Sequence, residues 1–174
     1  MQLNNVNLER LDQTVEEAKA DSAKAKRVTR VEGRWNLAEG KPQFGGVLKY
    51  ESGQVTLEAD QPTAMGGGGS LPGPLHYCMY GLASCYAATY ASMAAMMGVP
   101  LRKLEVAAEG HFNFSRVFGL SDAPALEEVR ITLTVDADAD QAKLDELEEL
   151  ARQRCPAVYV LSHEVPLIAE VKRG

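Results

Sequence analysis

Between Asp60 and Arg102 the chain has no Asp, Glu, Lys or Arg. Cysteine is also scarce. Three cysteines, an odd number spread through 174 residues, do not make the disulfide framework of a small secreted protein. Positive charge is in the minority, with 18 Lys and Arg against 24 Asp and Glu. A net charge of −6 leaves no basic stripe to release counterions, so nucleic acid and anionic membrane surfaces are not expected partners. The polar, acidic start lacks the apolar core of a secretion signal, and cytoplasm is the expected location. Metal-ligand spacing is missing too. Cys85, Cys155 and a histidine could be imagined around an ion, but there is no C-x-x-C or H-x-x-x-H pattern to support it. The length fits one domain with a sizeable core.

The uncharged stretch holds PLHYCMYGLASCYAATYASMAAMMG, residues 74–98. Ala and Met favour helix, and no proline interrupts between Pro74 and Pro100. Pro74 suits a first helical turn and Gly98 a C-terminal cap, so the spacing predicts one long helix. An apolar run this long meets the length test for a membrane span. Its many small residues, His76 and the hydroxyls of Tyr77, Tyr80, Ser84 and Tyr86 favour a buried central helix instead.

Upstream, residues 3–26 read as a charged helix with a thin stripe of Leu8, Leu11, Val15 and Ala18. The expected division is an N-terminal helix or arm over 1–26 and a single domain over 27–174. Val47–Tyr50 and Gln54–Glu58 flank Glu51–Ser52–Gly53, which predicts a hairpin. Residues 61–73 are rich in proline and glycine. Gly66 to Gly69 invite a phosphate-loop reading, but no lysine lies between Lys49 and Lys103, and a mobile loop is expected. Downstream, strands are expected over Leu104–Phe114 and Glu128–Asp136, the second with Val129, Ile131, Leu133 and Val135 on one face. A helix capped by Asp138 or Asp140 should run to Cys155, carrying Leu144, Leu147, Ala151 and Cys155 as one stripe. Pro156 stops it. Val158–Ser162 and Leu167–Lys172 read as closing strands. The order makes an α+β domain whose sheet covers the central helix.

The three cysteines are the soft nucleophiles. Cys78 and Cys85 share a helix, and seven residues put their Cα atoms about 10.5 Å apart. A disulfide needs roughly 4.4–6.8 Å, so these two cannot pair in a straight helix. Cys155 ends a different helix and can approach either. A buried thiol stays protonated and inert unless a cation or dipole stabilises its thiolate. Cys85 sits mid-helix, so its activation would need an arginine from elsewhere.

Pro74 followed eleven residues later by Cys85, through Gly81–Leu82–Ala83–Ser84, resembles the central-helix motif of the OsmC/Ohr family (osmotically inducible and organic hydroperoxide resistance proteins). Cys155–Pro156 at the end of the next long helix resembles the second mark of that family. The resemblance spans about residues 28 to 172 and leaves the 1–26 helix outside. It implies an OsmC-like fold, an intertwined homodimer in which antiparallel sheets wrap long central helices. It also implies thiol-dependent reduction of organic hydroperoxides without metal, haem or flavin. By the resemblance Cys85 is the peroxidatic thiolate, Cys155 resolves its sulfenic acid as a disulfide, and an external dithiol reduces that disulfide. Such a pair matches the chemistry of the cysteine oxidation ladder.

Two positions depart from the family. Its glutamate just after the helix proline is replaced by Leu75 and His76. His76 can move a proton, but nine residues along a helix set it about 13 Å from Cys85 and on the opposite face, so it could serve only another chain's cysteine. The family's arginine best matches Arg34, beside Trp35, with Arg30 as the alternative. His111 and His163 are isolated. The competing reading is a non-catalytic dimer whose interface cavity binds a small apolar molecule; the lost acid and the Met93, Met96, Met97 helix end favour it.

Overall fold

The computed structural model describes residues 1–173. From the N-terminus the elements are β1 (Gln2–Leu3), β2 (Val6–Asn7), α1 (Leu8–Ala20), β3 (Glu32–Trp35), β4 (Phe44–Tyr50) and β5 (Gly53–Ala59). They continue with α2 (Pro74–Met96), β6 (Leu101–Phe112), β7 (Leu126–Ala137), α3 (Gln141–Arg154) and α4 (Pro156–Ser162). The architecture is mixed α and β, and every strand pairing is antiparallel. Contacts divide the chain into two compact units: Met1–Leu8 with the chain from Gly81 onward, and Glu9–Tyr80. Among the described residues no helix is long and apolar enough to cross a membrane.

In the first unit the N-terminus corrects the sequence reading. The helix expected from residue 3 begins only at Leu8, because Asn4 and Asn5 take positive φ of 53° and 60° and turn β1 back onto β2. Asn tolerates this left-handed region, and two such residues make a tight hairpin turn. The Asn4 side chain then docks the hairpin: its amide donates to the Val99 carbonyl at 2.9 Å and its oxygen accepts from the Leu101 N–H at 2.8 Å. At its far end α1 gives way to a 3₁₀ turn over Ser22–Ala25 capped by Asp21.

Helix α2 ends as expected. Gly98 takes φ 70°, and the Val99 and Gly98 N–H groups return to the Ala94 and Ala95 carbonyls at 2.8 and 3.1 Å. This paired return is the Schellman closure that glycine permits. Strands β6 and β7 form a long hairpin, and Val129, Ile131, Leu133 and Val135 alternate inward as their spacing predicts. Asp140 caps α3 by accepting the Lys143 N–H at 2.9 Å. The α3 stripe is realised: Leu147, Ala151 and Cys155 are 0%, 0% and 1% exposed. They close over Tyr86, Tyr90 and Ala94 of α2, with Leu104, Val106, Ile131 and Leu133 of the hairpin against the same core.

The closing strands are not formed. Residues 156–162 are helix α4, and 163–173 contain no strand. Pro156 does stop α3, but its fixed φ and missing N–H also suit the first position of a new helix, and the Tyr159 N–H bonds the Cys155 carbonyl at 3.0 Å. A short apolar run such as Val158–Leu161 reads equally as strand or helix.

In the second unit β3, β4 and β5 form a three-stranded meander, with the β4–β5 turn at Glu51–Ser52 where the hairpin was expected. The glycine-rich segment is tied down where a mobile loop was expected. A 3₁₀ turn covers Thr63–Met65, and the buried Asp60 carboxylate accepts from the Gly68 N–H (3.3 Å), the Ser70 N–H (3.0 Å) and the Ser70 hydroxyl (2.8 Å). At Gly67 a Cβ would fall 2.0 Å from the Gln61 carbonyl oxygen, so the chain passes itself there only as glycine.

Candidate active site

Cys85 and Cys155, seventy positions apart, have their sulfurs 3.6 Å from each other. Both are free thiols. The pairing follows from how α2 and α3 are joined. Tyr86, next to Cys85, donates its hydroxyl to the Glu148 carboxylate at 2.7 Å. One helical turn on, the Tyr90 hydroxyl reaches the Leu144 carbonyl at 3.5 Å. These links fix α2 along α3, and the stripe Leu147, Ala151, Cys155 carries the contact to the end of α3. Burial first, then Glu148, pushes the Tyr86 hydroxyl well above its ordinary pKa, so it remains a proton donor throughout the physiological range.

Cys155 is the junction of two helices. Its N–H bonds the Ala151 carbonyl at 2.9 Å, closing α3, while its carbonyl receives Tyr159 and opens α4. It is 1% exposed, whereas Cys85 is half-buried and Cys78 is exposed. Of the close pair, only Cys85 therefore meets solvent to any extent. Burial raises the Cys85 thiol pKa, the Ala157 backbone N–H pulls it down, and the neighbouring Cys155 raises it again. The net direction is upward, toward a resting thiol. The Ala157 N–H was not anticipated from the sequence; its signal is Pro156, which has no N–H and makes Ala157 the first free donor after Cys155.

The other two expected site residues belong to the second unit. Arg34 stands exposed on β3, opposite Gly45. Arg30 is engaged with Glu32 at 2.5 Å. His76 sits in the first turn of α2, where its Nδ1 accepts the Gly73 N–H at 3.2 Å and its own N–H bonds the Gly73 carbonyl at 3.0 Å. That is a local helix-start role. Among the described residues no group of three His, Cys, Asp or Glu stands together as a metal site.

The profile of the OsmC-like protein family matches residues 67–170, which contain both cysteines of the pair. The chain belongs to the OsmC-like protein family. Solved structures with the same fold include the OsmC-like protein of Mycoplasma pneumoniae, at 21% identity and TM-score 0.61, covering 79% of this chain and 89% of that one. An organic hydroperoxide resistance protein OsmC of Legionella pneumophila aligns at 16% identity and TM-score 0.55, over 78% of this chain and 89% of its own. The organic hydroperoxide resistance protein OhrB of Bacillus subtilis follows at 18% and 0.50, over 76% and 88%. At these identities the likeness is one of fold. No curated protein matches the chain.

Proposed function

We propose that this OsmC-like protein is a thiol-dependent peroxidase that reduces organic hydroperoxides, with Cys85 as the peroxidatic residue and Cys155 as the resolving one. The observation that carries the reading is the 3.6 Å separation of two free sulfurs drawn from different helices. In the first step the Cys85 thiolate attacks the outer peroxide oxygen. The O–O bond breaks, the alkoxide takes a proton and leaves as alcohol, and Cys85 becomes a sulfenic acid. In the second step the Cys155 sulfur attacks the Cys85 sulfur and gives up its proton. Water leaves and a disulfide remains. An external dithiol returns both residues to thiols, and no bound cofactor is required.

Exposure supports this division of roles, since Cys155 is sealed in the core and Cys85 is not. Closing the bond requires the sulfurs to approach from 3.6 Å to about 2.05 Å, a movement within reach of side-chain rotation and a small shift at the α3–α4 junction. Because burial raises the Cys85 thiol, oxidation should accelerate as pH rises through neutrality. Arg34 and His76 enter the proposal as groups supplied around the thiol in a homodimer, His76 acting on the partner's cysteine. Exposed Trp35, Phe44 and Val31 support that assembly, being apolar side chains a partner would cover.

The test is direct. Reduced protein receives a small excess of an organic hydroperoxide, and intact mass and disulfide connectivity are followed. Loss of two hydrogens with a Cys85–Cys155 bridge, formed within seconds and abolished by Cys85→Ser, is the expected result. Thiols that stay free over many minutes would sink catalysis and turn attention to the second reading, a non-catalytic dimer that binds a small apolar molecule. That alternative draws support from the apolar groove of about 450 Å³ lined by Trp35, Phe44, Leu48, Leu57 and Tyr77.

A further inference from the structure

Arg152 and Arg154 end α3 side by side in sequence but in opposite electrostatic situations. Arg152 has glutamates three and four residues before it and is paired with both Glu149 and Glu148. Arg154 has Leu150 and Ala151 at those positions, and Ala157 and Val158 at the equivalent distances ahead. Its guanidinium rests instead on the Met93 sulfur of α2, at 3.2 Å. A thioether is a weak acceptor that leaves the positive charge uncompensated. Met93 packs on the same core that encloses Cys155, with Cys85 alongside. Arg154 also immediately precedes Cys155, so its Cα lies about 3.8 Å from that of the resolving residue.

The remaining titratable groups around the pair are engaged with one another and are net negative, two glutamates sharing one arginine, with Tyr90 and Asp145 beside them. Tyr86 gives its hydroxyl to Glu148, and Glu148 and Glu149 are held by Arg152. The hairpin contributes apolar side chains, Leu104, Val106, Ile131 and Leu133 among them. Of the three cations on α3, Lys143 and Arg152 are paired with glutamates, and Arg154 rests on a thioether.

We infer that Arg154 is the positioning cation of the thiol pair, leaving the Met93 thioether for the Cys85 sulfur when that sulfur becomes an anion. This rests on the reading of Cys85 as the reactive thiol. An exposed guanidinium lets go of a thioether at small cost, whereas an ion-paired one such as that of Arg152 would first have to break a charge-assisted bond. The arrangement supplies within the Cys85 unit the charge that the sequence sought on β3.

The experiment measures alkylation of Cys85 by iodoacetamide against pH, with Cys78→Ser as background so that the exposed thiol does not compete. Peptide masses report Cys85 separately from Cys155. Arg154→Met should slow alkylation about tenfold at pH 7 and move its midpoint up by about one pH unit, as loss of a neighbouring cation does. Arg154→Lys should restore the rate to within about threefold. A profile for Arg154→Met that superimposes on its background, or one moved only by Arg34→Met, overturns the inference. A salt series on the unsubstituted protein is independent of folding defects: alkylation should slow as salt approaches about 1 M and screens an exposed charge, and a flat response also overturns it. Alkylation needs no peroxide. Failure of the hydroperoxide to bridge Cys85 and Cys155 would thus strike the peroxidase reading while leaving the Arg154 result to be judged by itself.

Discussion

The two units of this chain solve the packing problem differently. The unit that holds the thiol pair is closed by apolar matter from three sources: α2, the β6–β7 hairpin and α3. Its central side chains, Tyr86, Tyr90, Leu147 and Cys155, are all no more than 2% exposed. The unit spanning Glu9–Tyr80 has little of this. Its three-stranded meander shows Trp35, Phe44, Val47 and Tyr50 to solvent, and its densest knot is polar, the Asp60 carboxylate gathering the glycine-rich loop. A core that is complete within one chain can hold two sulfurs in place without help. A sheet that shows this many apolar side chains leaves surface that a further contact would bury.

The strongest way to test that contrast is to weaken the closed unit. Leu147→Ala removes a side chain with no exposed surface from between α2 and α3, and should cost about 2–5 kcal/mol through lost burial and the cavity left behind. Chemical denaturation would measure it. The same substitution should slow formation of the Cys85–Cys155 disulfide, because Leu147 lies on the stripe that seats Cys155. Val47→Ala in the open meander should stay within about 0.5 kcal/mol in a single chain. Similar losses at both positions would erase the distinction between the units.

What the sequence made readable follows the same line. Wherever a residue's period coincided with its burial, the element was legible: Pro74 and Gly98 bracket α2, the alternation of Val129 to Val135 is β7, and Leu147, Ala151 and Cys155 mark the inner face of α3. The approach of Cys85 to Cys155 came from family resemblance; spacing left Cys155 open to either partner, and tertiary packing decided it. Three features escaped. Asn4 and Asn5 looked like part of a helix because their left-handed turn leaves no periodic trace. Pro156 was read as a stop and is also a start. Asp60 gave no sign that it would organise a loop ten residues long, since its partners are mostly backbone N–H groups that no side-chain pattern reveals.

That loop offers a second, smaller test. Hydrogen bonds from the Ser70 N–H and hydroxyl, with a further one from Gly68, hold the Asp60 carboxyl below the usual carboxylate range. A carboxylate whose folded pKa is depressed contributes stability that is fully present above its unfolded value, about 3.9, and is lost as pH falls through the folded value. Hydrogen exchange should therefore show Gly68 and Ser70 protected at neutral pH and progressively released below about pH 4. Asp60→Asn puts a donor where an acceptor is needed. It should lower protection of those amides about tenfold at pH 7 and remove the acid dependence, with the thiol pair unaffected. Release of the Cys85 region together with the loop would show that the two units do not act separately.

The smallest signal bears on the open sheet. Trp35 is the chain's one tryptophan and is 55% exposed, at the edge of the groove that Phe44, Leu48, Leu57 and Tyr77 also line. Its fluorescence consequently reports on that face and on nothing else in the protein. If a second copy covers the groove, emission at micromolar concentration should be blue-shifted from that of the unfolded chain and should move to longer wavelength on dilution, as the sheet returns to water. Val31→Ser, at a position 57% exposed on the same groove, should make the shift occur at higher concentration without loss of secondary structure. An emission maximum that is solvent-like at every concentration would mean the face stays open in solution. The proposed homodimer would then lose this face as its interface, and with it the proposed route by which Arg34 or His76 reaches a cysteine.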